Sequence, residues 1–220
     1  MILNDHNIPK MNGLVLAGGK SRRMGADKDL LKWHGKEQRY FAADLLGSFC
    51  DEVFISCRED QLRHFDTGYK ALTDTFLNMG PFAGILSALR SQRDKAWLVV
   101  ACDLPLLDEK SVQFLIKNRN PEKLATAYES PFDGLPEPLI SIWEPKSYPV
   151  LLNFLGSGIT SPQKVLISSD TLILKPSDPD ALMNVNTPEE AAIANGILQK
   201  RDETPDSEKG MDDEHGYKVL

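Results

Sequence analysis

Apolar runs of strand length recur along this chain, each followed by a longer amphipathic segment, and this alternation limits the fold more than any other feature. Parallel neighbouring strands need a crossover connection, and a helix packed on the sheet is the usual one. Strands are predicted near residues 11–17, 52–57, 69–73, 96–101, 124–129, 138–142 and 171–174. Helices are predicted near 38–48, 59–65, 82–91, 108–118, 145–155, 161–168 and 188–199. The reading is an α/β fold, a single three-layer domain with a mostly parallel sheet.

Punctuation residues refine this outline. The last helix is the best marked: Thr187 suits the N-cap, Pro188 the first turn, and Glu190 completes a capping box. Residues 129–138 carry three prolines and a glycine, which predicts a loop over the substrate face or a connection to a strand of opposite sense. From Lys200 onward the sequence is too polar to bury apolar surface, so residues 200–220 are expected to form a solvated tail. Residues 1–10 then form an N-terminal extension, and 11–199 the domain.

Composition excludes several classes of function. With 220 residues, 41% hydrophobic, the chain can bury a core without staples. A net charge of −7 argues against broad nucleic-acid or membrane-surface binding, which needs basic surface. Cys50, Cys57 and Cys102 lack the spacing of a zinc knuckle or disulfide framework and are expected to be reduced, buried thiols. His6, His34, His64 and His215 are scattered without metal-ligand spacing, and are expected on the surface or beside satisfied partners. No signal peptide or membrane-length apolar run is visible, so the expected location is the cytoplasm.

Chemistry concentrates in residues 16–28, where glycines and cations follow directly behind an apolar run. Gly18 and Gly19 present no Cβ, so backbone N–H groups can converge on anionic oxygens. Lys20, Arg22, Arg23 and Lys28 add positive charge. The dinucleotide fingerprint fails for want of a third glycine, and Gly19-Lys20-Ser21 lacks the early glycine of a phosphate loop, since that position is Leu14.

Three further positions suit a phosphate site. Asp103 follows the apolar run Trp97–Cys102, which would bring its carboxylate out at the sheet edge that also carries the glycine loop, a place for a magnesium ligand. An aspartate there can equally serve as a turn residue before Pro105. Asn184 and Asn186 alternate on an extended segment and can face the same way. Their amide oxygens suit a hard cation, and their amide hydrogens suit phosphate or other polar acceptors.

The run Leu16-Ala17-Gly18-Gly19-x-Ser21-x-Arg23-Met24-Gly25-x-Asp27-Lys28 resembles the signature of molybdenum cofactor guanylyltransferases. The resemblance continues through Gly80–Gly84, Ala101–Pro105 and Asn184–Glu190, in the same order, and spans roughly residues 11–199. It implies a Rossmann-like fold of the nucleotidyltransferase type and Mg2+-dependent transfer of GMP from GTP to molybdopterin, with release of pyrophosphate. Other cofactor-biosynthesis proteins or acceptor molybdoenzymes are the partners it implies. Nucleic acid and membrane are not expected partners.

Carried onto this chain, the resemblance implies a backbone cradle at Leu16, Ala17, Gly18 and Gly19. It further implies phosphate stabilisation by Arg23 and Lys28, and Mg2+ and nucleotide positioning by Asp103. Asp74 resembles the nucleotide-contacting aspartate, Ser56 stands where an asparagine touching the nucleotide is expected, and Asn184 and Asn186 face molybdopterin. Ser161–Lys164 replaces a segment that often bears arginine, with Lys164 keeping the charge. The residues alone leave open transfer of CMP to molybdopterin or of a nucleotide to a sugar phosphate. They also leave open a GTP-binding regulatory module in which Lys20, Ser21 and Asp103 act as a degenerate phosphate-loop set, or a silent partner protein.

Overall fold

A computed structural model describes residues 8–17, 30–76 and 78–203. Seven strands form one sheet: β1 (Met11–Leu16), β2 (Val53–Cys57), β3 (Lys70–Thr73), β4 (Ala96–Ala101), β5 (Ala125–Glu129), β6 (Pro136–Trp143) and β7 (Thr171–Leu174). The helices are α1 (Gln38–Gly47), α2 (Pro81–Ser91), α3 (Glu109–Lys117), α4 (Ser147–Gly156), α5 (Pro162–Ile167) and α6 (Pro188–Glu203), with 3-10 turns at Glu59–His64 and Pro179–Leu182. Every predicted strand is present. The Pro179–Leu182 turn was not anticipated.

The strand order is β3-β2-β1-β4-β6-β5-β7. All neighbours pair in parallel except around β6, which runs antiparallel to both β4 and β5. The proline-rich 129–138 segment therefore joins strands of opposite sense, as one of its two readings required. The chain builds outward from β1 to β2 and β3, then returns to the other side of β1 for β4. Such a reversal leaves a crevice at the carboxyl ends of β1 and β4, where open α/β sheets bind ligands.

Alternation along the strands divides the core into two layers. Val15, Ile55, Leu98 and Val100 pack with Ala43 and Leu46 of α1 and Val112 and Leu115 of α3. Leu14, Trp97 and Val99 face the other way, against Ile85 and Leu89 of α2, Leu151 of α4 and Val165 of α5. All six residues of β4 are buried, which accounts for its unbroken apolar sequence.

A third, smaller cluster joins Leu106, Val185 and Ala194, with Trp33 and Met183 against it. It docks α6 near the sheet's carboxyl edge. The helix also runs past the expected boundary at residue 199, because Arg201 has partners: it donates to the Leu106 carbonyl at 2.8 Å and pairs with Asp178 at 2.7 Å. Residues 200–203 thus belong to the folded domain, while the rest of the expected tail lies outside the described residues. Among those described, no helix is long and apolar enough to cross a membrane.

Candidate nucleotide and acceptor site

The carboxyl ends of β1, β2 and β4 meet through strand register. Leu16 stands opposite Ser56 on one side and Ala101 on the other. Beyond the strands, the Ala17 N–H donates to the Ser56 carbonyl at 3.1 Å and the Cys102 N–H to the Leu16 carbonyl at 3.2 Å. The chain therefore enters the glycine loop and the Asp103 turn side by side. Gly18, Gly19, Arg23 and Lys28 lie outside the described residues.

On the β2–β3 side, Ser56 Oγ donates to Asp74 Oδ1 at 2.6 Å, and the Asp74 N–H donates to the Cys57 carbonyl at 3.2 Å. Burial pushes the Asp74 carboxyl above the ordinary range, while the Ser56 hydrogen bond and the Arg58 charge oppose that rise. Helix α2 closes in from behind. Gly80 precedes its first turn with φ +54°, a conformation suited to glycine. A Cβ on Gly84 would lie 2.6 Å from Leu16 Cδ2 and 2.8 Å from Ser56 Oγ. The space that Gly84 leaves is thus filled by the Leu16 and Ser56 side chains.

The other side is assembled over a long sequence separation. The Val185 N–H donates to the Asp103 carbonyl at 2.8 Å, seating the Asn184–Asn186 segment on the Asp103 turn. Glu190 Oε2 accepts from the N–H groups of Asn186 at 2.6 Å and Thr187 at 3.0 Å, and Thr187 Oγ1 accepts from the Glu190 N–H at 3.2 Å. The predicted capping box is present, and it also fixes the backbone of Asn186. Asp103 Oδ1 is buried, and the buried Asn184 Oδ1 accepts no hydrogen bond among the described residues.

Three contributors were not legible in the sequence. Glu137, on β6, is 7% exposed, and burial together with the charges of Asp103 and Asp133 raises its carboxyl above the ordinary range, with Asn184 close enough to oppose that shift. Only the β6 reversal brings it there. His34 Nε2 meets the Pro105 carbonyl at 2.9 Å while its ring stacks on Phe41, and Gln38 Nε2 donates to the Leu104 carbonyl at 3.3 Å. These contacts pin the residues after the glycine loop to the Asp103 turn.

Other expected positions resolve more simply. Ser161 caps α5 by accepting from the Lys164 N–H, and Lys164 is exposed. The three cysteines are free thiols; Cys57 and Cys102 are buried and Cys50 is half-buried. Burial pushes Cys50 up to about 12 and Cys57 up to about 11, so neither is a nucleophile at neutral pH.

Oxygen atoms of Asp103 and Asn184 therefore lie on adjoining segments at the sheet's carboxyl edge, chemistry suited to a hard cation and phosphate. Among the described residues no three His, Cys, Asp or Glu side chains group as a metal site. Mg2+ commonly takes only one or two protein carboxylates, with phosphates and water completing its shell, so the Asp103 and Asn184 oxygens fit it.

Similarity to known proteins agrees with this geometry. The chain is 36% identical over 179 residues to a molybdenum cofactor biosynthesis bifunctional protein of Synechocystis, covering 81% of this chain and 52% of that one, so it spans about half the length of that relative. It is 30% identical over 190 residues to the molybdenum cofactor guanylyltransferase of Pseudomonas entomophila, covering 83% of this chain and 96% of the relative. The fold matches the crystal structure of molybdopterin-guanine dinucleotide biosynthesis protein A from Archaeoglobus fulgidus with a TM-score of 0.72 at 21% identity, over 86% of this chain and all of that one. Residues 13–193 match the model of the MobA-like NTP transferase domain. With its switch-point crevice and this match over most of its length, the chain belongs to the MobA-like NTP transferase family.

Proposed function

We propose that the protein transfers GMP from GTP to molybdopterin and releases pyrophosphate. The observation that carries this reading is the seating of the Asn184–Asn186 segment on the Asp103 turn, beside the strand that leads into the glycine loop. This places the polar Asn184–Asn186 segment, suited to an acceptor, at the same sheet edge as the end of β1 that leads into the glycine loop. The preference for guanine and molybdopterin is supported by the guanylyltransferase whose length this chain spans almost completely.

Asp103 and Asn184 would hold Mg2+, which when bound offsets phosphate charge around the reacting phosphorus. The terminal phosphate oxygen of the acceptor is already anionic, so its attack on the α-phosphorus needs no strong general base. A bond forms from that oxygen to the α-phosphorus, and the bond to the bridging oxygen breaks, leaving its electron pair on pyrophosphate. Alignment and charge stabilisation then dominate catalysis. Leu16, Ala17, Gly18 and Gly19 cradle the nucleotide, Arg23 and Lys28 stabilise the leaving phosphates, and Asp74 accepts from donors on the base or ribose. Asn186 faces the acceptor.

The test is pyrophosphate release with each of the four NTPs, Mg2+ and molybdopterin. GTP is expected to support the fastest release. Faster release with CTP would replace the guanylyl assignment by a cytidylyl one and leave the fold unchanged. Omitting Mg2+ should abolish turnover, and undiminished turnover with chelator present would remove the metal. Binding of GTP and molybdopterin to the Lys28→Ala and Asn186→Ala proteins separates the two substrates. Lys28→Ala should weaken GTP, whereas Asn186→Ala should weaken the acceptor by about 1.5–3 kcal/mol, as expected when a partner of a charged group is removed.

A further inference from the structure

We infer that Ser56 is a positioning residue, which acts on the nucleotide through the Asp74 carboxylate and makes no contact with the nucleotide itself. The inference rests on the nucleotidyltransferase reading of this crevice, but not on which base is transferred.

A serine hydroxyl has one proton to donate, and Ser56 gives it to Asp74 Oδ1 at 2.6 Å. Ser56 is 2% exposed. Its Oγ is backed by α2, where even the Cβ that Gly84 lacks would come within 2.8 Å. The hydroxyl is enclosed between the helix and Asp74, so a ligand has no open approach to it.

Asp74, in contrast, is half-buried, and its Oδ2 makes no hydrogen bond among the described residues. Its backbone is anchored on both sides. The Asp74 N–H binds the Cys57 carbonyl, and the next residue is tied to α2 by the Thr75 N–H donating to Ser87 Oγ at 2.9 Å and by Thr75 Oγ1 meeting the same oxygen at 3.1 Å. With the main chain fixed, the Ser56 hydrogen bond holds the carboxylate through Oδ1, and Oδ2 is the oxygen left to accept from the nucleotide. It also favours the ionised form against the cost of burial, as an acceptor requires.

A double-mutant cycle on nucleotide affinity tests the inference, with Mg2+ and GTP titrated calorimetrically into wild type, Ser56→Ala, Asp74→Asn and the double variant. Ser56→Ala should weaken GTP roughly fivefold to tenfold, in line with the loss of one hydrogen bond. Asp74→Asn should weaken it more, and adding Ser56→Ala to Asp74→Asn should change nothing further. Additive losses would mean that Ser56 meets the nucleotide directly and would overturn the inference, as would a Ser56→Ala protein that binds like wild type. Ser56→Cys fills the same space with a weak donor and should bind nearly as poorly as Ser56→Ala; wild-type affinity would reduce Ser56 to a packing role. Carbon-13 titration of Asp74 should show its carboxyl raised further in Ser56→Ala, and an unmoved carboxyl would also count against coupling. If the wild-type protein prefers another NTP, the guanylyl reading fails on its own, and the same cycle run with that nucleotide still decides the role of Ser56.

Discussion

The two halves of the crevice are built differently. On the glycine-loop side, the register of three parallel strands sets Leu16 and Ser56, which wedge against Gly84 of α2, and Asp74, which takes the Ser56 hydrogen bond. On the Asn184–Asn186 side, an extended segment is held by the Val185–Asp103 backbone hydrogen bond, by the capping box of α6 and by the small cluster around Leu106. The first half is thus interdigitated side-chain packing, and the second is mainly backbone hydrogen bonding. A change of volume should hurt the first half most, and loss of a single acceptor the second.

The sharpest test concerns the residue that both halves share. Asp103 takes the Val185 N–H on its carbonyl and carries the carboxylate proposed for the metal. Asp103→Asn preserves the backbone contact and removes the charge, so turnover should fall on the order of a hundredfold or more while the thermal midpoint changes little. Near-normal pyrophosphate release at limiting Mg2+ would remove Asp103 from the chemistry. Gly84→Ala comes next. Its Cβ would fall within 2.8 Å of both Leu16 and Ser56, and overpacking of this kind costs about 1–3 kcal/mol. Denaturant unfolding should show the loss, with nucleotide binding weakened more than acceptor binding. Equal weakening of the two would mean that the halves are not mechanically separate.

Glu190→Ala probes the opposite half with a smaller effect. It strips the acceptor from the Asn186 and Thr187 N–H groups, and cap losses cost about 0.5–2 kcal/mol. Acceptor KM should rise while GTP affinity stays, and a selective loss of GTP affinity would invert the assignment of the halves. The mildest expectation is a pH effect. Burial raises the Asp74 carboxyl in the folded protein, and the ionised form is the one that accepts from the nucleotide. GTP affinity should therefore be full above that raised value and fall as the pH drops through it, earlier than for an ordinary carboxylate. Asp74→Asn should abolish this acid limb, and a limb that survived would belong to another group.

How far the sequence alone reaches can be judged from particular elements. Each of the seven strands was legible because side-chain alternation and unbroken apolar runs follow directly from what a half-buried or fully buried strand must present. The capping box at Thr187 and Glu190 was legible because its partners are three residues apart, and the reversal before β6 was signalled by the prolines of 129–138. The glycine loop, Asp103 and the two asparagines could be read as candidates for phosphate and acceptor binding.

Only the tertiary structure decided which of these meet, since contacts between distant parts of a chain leave no local pattern. Ser56 and Asp74 lie on adjacent strands, yet nothing in their spacing says that the hydroxyl is spent on the carboxylate. Glu137 reads as one more acid in a proline-rich connection until the antiparallel β6 brings it beside Asp103. Likewise, residues 200–203 look like polar tail until Arg201 finds the Leu106 carbonyl and Asp178. Local periodicity determines the elements, because it reflects how each segment meets the core. Strand order, register and long-range hydrogen bonds determine the site, because they depend on which segments become neighbours.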